Sequence, residues 1–207
     1  SIAGTSMSVF NEMVDNRQML ESQYKILQGR WPQNYDEVIL ILPEENSISD
    51  LLLYSLGLRD SKELENMISK LMKGEKVENT NTPLEFTYQD LMNISLRLVD
   101  GSSTYKYNEK YQVYEDMTAD EKFMNNVYEN SVELKIVGIV CLDDSSNSTS
   151  LMSGVGYTKE LTEHIINKAS ESEIVKKQLA NEDINVFSNK RFDDESDEAG
   201  LNFEDMI

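Results

Sequence analysis

Apolar residues along this chain follow two periods, one of a helix and one of a strand. Residues 6–22 place Val9, Phe10, Met13, Val14 and Leu20 at helical spacing, which predicts an amphipathic helix with that stripe in the core. Two apolar runs follow, 24–27 and 38–42. Gly29, Pro32 and Asn34 stand between them, so the stretch reads strand, turn, strand. Ser47 or Ser49 caps a helix through Leu51, Leu52, Leu53 and Tyr54, which Gly57 ends in the left-handed conformation. Asp60 and Glu63 stand at capping-box spacing and open a second helix. Its face repeats Leu64, Met67, Ile68, Leu71 and Met72, and Gly74 closes it.

Residues 75–85 are polar, carry Asn79, Asn81 and Pro83, and predict a surface loop. A short helix is expected over 88–92. The alternation over 94–99 has the period of a half-buried strand, and Asp100-Gly101 is a turn signal. Tyr105, Tyr107, Tyr111, Val113 and Tyr114 form a tyrosine-rich segment that reads as a hairpin turning at 108–110. Thr118 and Glu121 repeat the capping-box spacing ahead of a buried stripe of Phe123, Met124, Val127 and Tyr128. The most apolar strand spans 132–142 and is expected at the centre of a sheet. Residues 143–150 are of low complexity and read as a mobile loop. Thr158 caps a helix carrying Leu161, Ile165, Ile166 and Ala169. Ser170 and Glu173 open another with Ile174, Val175 and Leu179, and 184–187 reads as a short final strand. Helices and strands mix without regular alternation, which predicts an α+β fold: a mixed β-sheet with several amphipathic helices packed on it.

A length of 207 residues suits one large domain or two small ones. The chain reads as a single domain over 1–207. A two-lobe alternative makes 44–131 a helical and hairpin insertion into a core of 1–43 and 132–190. Residues 191–207 form an acidic linker, with Asp193, Asp194, Glu195, Asp197 and Glu198 close together. The hydrophobic share of 39% and the charged share of 28% fit a folded chain. No apolar run approaches the roughly 20 residues of a membrane helix, and no signal peptide is expected at this start. Net charge is −19, which argues against nucleic acid and anionic lipid as direct partners; it reads first as solubility, and it would attract a cationic partner.

Reactive chemistry has little to build on. Cys141 is the single cysteine and ends an apolar strand, where it reads as a small buried hydrophobe. His164 is the single histidine, on a helix and solvated, so common zinc sites lack ligands. There is no P-loop and no nucleophile elbow, and Gly154-Val-Gly156 is too short to cradle a phosphate. The acidic groups at 143–144 and 193–198 lack the spacing and the glycine of a calcium loop. Asn93-Ile-Ser95 and Asn147-Ser-Thr149 match glycosylation sequons. The chain is therefore expected to be non-catalytic, with no cofactor and no metal. The tyrosines Tyr105, Tyr107, Tyr111 and Tyr114 are the candidate partner-contact residues, because tyrosine gives large contact area at low entropy cost. Cross-strand packing is the competing use of the same side chains.

Several short motifs occur in a meaningful order: Gly29-Arg30, then Glu37-Val38-Ile39-Leu40, then Leu56-Gly57-Leu58, then Ile136-Val137-Gly138-Ile139. In that order and spacing they resemble the extracytoplasmic domains of MacB/FtsX-type ABC transporter permeases, the MacB-like periplasmic core. Trp31-Pro32 after Gly-Arg, and 154–158 followed by Leu161-Thr162, look like a Gram-positive branch. The resemblance covers about 24–161, and the stretch between Gly57 and Glu133 is longer than in compact forms. It implies a domain on the extracytoplasmic side of a bacterial cell membrane that couples ATP-driven motion of membrane helices to an exported substrate or an external partner. Its own permease helices and a separate ATP-binding subunit or domain would be obligatory partners. A cationic peptide, a lipoprotein or a cell-wall hydrolase would be the external one. Gly29, Arg30, Trp31, Gly138 and the 38–42 strand are the residues expected to carry the fold. A free-standing cell-surface or lipoprotein-type binding protein is the alternative.

Overall fold

The computed structural model describes residues 9–75, 86–146 and 148–193. The chain divides into two compact units. The first comprises Ser1–Leu96 and Glu133–Thr162, the second Arg97–Val132 and Glu163–Ile207. The stretch 44–131 is thus shared between them.

The first unit is built on a mixed sheet. Its strands are β1 (Phe10–Glu12), β2 (Tyr24–Gly29), β3 (Glu37–Leu42), β7 (Val132–Leu142) and β8 (Gly154–Tyr157), in the order β1-β8-β3-β7-β2. Strand β4 (Ser95–Leu98) pairs with β7 off this path. β3 runs parallel to β7 and antiparallel to β8, β2 is antiparallel to β7, and β1 is parallel to β8. All six residues of β3 are buried. Ile39 and Ile41 join a core cluster with Met13, Leu20, Tyr24, Trp31, Val140 and Leu151. Period two sends Val38, Leu40 and Leu42 to the opposite face, where they are buried as well. A strand covered on both faces reads as one continuous apolar run, which is how 38–42 looks in the sequence. The runs at 24–27 and 38–42 both form strands, but they do not make a hairpin. β7 lies between β2 and β3 and pairs with each.

Helices α1 (Arg17–Gln23), α2 (Asp50–Ser55), α3 (Ser61–Met72) and α4 (Tyr88–Met92) lie in the first unit. Ser49 caps α2 by accepting from Leu52 N, and Gly57 takes φ +72° just past its end. Thr87 and Asp90 form a reciprocal capping box on α4. Most of the loop expected at 75–85 lies outside the described residues. Among the described residues no helix is long and apolar enough to cross a membrane.

The predicted helix over 6–22 is corrected: Phe10–Glu12 is a strand paired with Val155–Tyr157, and helix begins only at Arg17. Val9 and Met13 are four residues apart, a separation that suits a helical turn and also two strand repeats. Burial of both against the sheet decided for the strand. Asn16 then caps α1 through Met19 N.

The second unit contains the 3-10 turn Gly101–Thr104, the hairpin of β5 (Tyr105–Asn108) and β6 (Val113–Asp116), and helices α5 (Glu121–Glu129) and α7 (Glu173–Ala180). Helix α6 (Lys159–Glu171) starts in the first unit and ends in the second. Two caps differ from expectation. Asp120, not Thr118, caps α5, because the Thr118 amide donates to Asp116 and the turn closes there. Ser172, not Ser170, caps α7, because α6 runs on to Glu171. The α5 stripe is half-buried rather than buried, and Tyr128 is exposed with Arg97 stacked 5.6 Å above its ring. The strand expected at 184–187 is reduced to a single bridge between Ile184 and Arg191.

Candidate functional site

Glycine, arginine and glutamate build the tightest feature of the first unit. Gly29 ends β2 with φ +74°, which an L side chain rarely adopts. It stands opposite Gly138 in the middle of β7. A Cβ on Gly138 would strike the Arg30 carbonyl oxygen, and one on Gly29 would strike the Val137 carbonyl oxygen. The two glycines let these backbones approach closely, and the Arg30 amide donates to Val137 O at 2.9 Å. From that turn Arg30 reaches Glu37 with two hydrogen bonds, Nη1 to Oε2 at 2.8 Å and Nη2 to Oε1 at 2.5 Å. The amides of Gln33 and Asn34 and the Asn34 Nδ2 donate to the same carboxylate.

Glu37 is buried, and the Arg30 hydrogen bonds hold its carboxyl at about 2, against an opposing penalty from burial. Both oxygens are fully engaged, so this carboxylate cannot serve as a base. The group is a structural lock. Trp31 follows it and is buried in the core.

The hairpin of the second unit holds the four candidate tyrosines, and the fold brings only two of them together. Tyr107 and Tyr114 are direct cross-strand partners with ring centroids 5.1 Å apart. Tyr105 packs on Phe187 instead, at 5.0 Å. Tyr111 lies in the turn, exposed, with Lys110 Nζ 5.0 Å from its ring. From α7, Lys177 places its Nζ 3.4 Å from the Tyr107 centroid and 5.9 Å from that of Tyr114. Burial pushes the Tyr114 phenol up, and Lys177 works against that shift.

Sequence spacing gave no sign of Lys177 or Phe187, which lie about sixty to eighty positions from the tyrosines they meet. The Tyr107–Tyr114 faces therefore already hold an internal cation. Tyr111 is the exposed member of the set.

The loop expected to be mobile at 143–150 is fastened at both ends of its described part. Tyr24 Oη accepts from Leu151 N at 2.8 Å and shares a 2.7 Å bond with Thr149 Oγ1, and Ser150 Oγ donates to Gln23 Oε1 at 2.6 Å. Asp143 turns inward on Ser145, whose hydrogen bonds lower its carboxyl. Beside it a cavity of about 460 Å³ is lined by Lys25, Glu44, Glu45, Asp144 and Cys141, with Lys25 paired to Glu45 and Asp144. Cys141 is buried and burial pushes its thiol up, as expected of a packing residue. His164 lies half-buried on α6. Among the described residues no three His, Cys, Asp or Glu side chains group to hold a metal ion.

No family model, no curated protein and no solved structure matches the chain.

Proposed function

We propose that this chain is a non-catalytic extracytoplasmic domain of an ABC transporter permease, of the MacB/FtsX type. The observation that supports the reading is the lock at Arg30. Gly29-Arg30, Glu37 and Val137-Gly138 are among the residues that carry the resemblance, and they are in contact with one another. Gly29 and Gly138 pair across the sheet, and Arg30 joins β2 to β3 through Glu37. Motifs scattered over more than a hundred positions are each weak in a sequence. Residues that depend on one another sterically form a single requirement.

In this role the first unit is a stiff body that transmits motion of membrane helices, and hairpin residues such as Tyr111 meet an external partner. The partners are the permease's own helices, a separate ATP-binding subunit or domain, and outside the cell a cationic peptide, a lipoprotein or a cell-wall hydrolase. The cationic choice follows from the net charge of −19.

The complete reading frame around the chain tests the proposal. Apolar spans of roughly 20 residues on both sides, with further spans beyond, are the expected result. A frame with at most one anchor would overturn it and leave a free-standing surface binding protein.

A further inference from the structure

We draw no further inference here: the strongest candidate, the cavity of about 460 Å³ at the adjoining ends of β3 and β7, is an acidic cluster whose Glu45 and Asp144 are already paired with Lys25, and nothing among the described residues points to a ligand that fills it.

Discussion

In the first unit Arg30 meets a buried carboxylate, and in the second Lys177 meets two tyrosine faces. Both contacts tie a cation to a strand, yet they differ in what they tolerate. Glu37 receives donors on both oxygens from four groups in three residues besides being enclosed by the sheet, so any change leaves several partners unpaired. Lys177 is exposed and sits over rings that also hold each other. Its attraction is graded in distance and needs no fixed geometry. The first contact specifies the fold. The second can be given up or exchanged for another cation with little loss.

The sharpest way to break this contrast is at the glycines. Gly138→Ala should lose about 3 kcal/mol or more, because the added methyl meets a backbone carbonyl that cannot move without disturbing β2. Denaturant unfolding measures it, and a loss below about 1 kcal/mol would show that the turn is loose.

Next comes Glu37→Gln, expected to cost about 2–3 kcal/mol at neutral pH, since Arg30 is half-exposed and water compensates part of the loss. The same carboxyl gives a pH dependence. Its value is about 2 in the folded state and higher in the unfolded chain, so the unfolded state binds more protons between about 4.5 and 2. Its contribution is complete above that window and falls as pH drops through it. Asp90, Asp116 and Asp143 are lowered as well, so the difference between wild type and Glu37→Gln isolates this group. Parallel acid profiles for the two chains would remove Glu37 from the account.

In the second unit the effects shrink. Lys177→Met should cost about 0.5–1 kcal/mol and push the Tyr114 phenol further up, because the cation that opposes burial is gone. Nuclear magnetic resonance of labelled tyrosines reads that shift, and a downward move would contradict the role given to Lys177. Tyr111→Ser should change stability by less than about 0.5 kcal/mol. It should nonetheless weaken any partner that uses the hairpin tip, which a pull-down with basic peptides can score.

Much of the architecture is legible along the chain. The uninterrupted apolar run at 38–42 announces a strand covered on both faces, and α2 ends where Gly57 says it should. Capping residues were readable to within two positions. Thr118 and Ser170 satisfy the same local pattern as Asp120 and Ser172, and only the preceding turn or helix decides between them. The segment around Met13 was unreadable in principle, because a spacing of four serves both periods. The candidate tyrosines were visible as a cluster, but their division into a packed pair, a ring on Phe187 and an exposed tip was not.

The sequence by itself determined where helices and strands are possible, that the fold mixes them, and that the chain is strongly acidic. These follow from local periodicity, turn residues and charge, each read within a few positions. Tertiary structure alone decided that β7 separates β2 from β3, that Gly29 faces Gly138, that Glu37 is saturated by Arg30, and that Lys177 covers Tyr107. Those pairings join residues that only packing brings together. They are chosen by burial and steric fit over the whole fold, and no local pattern carries that information.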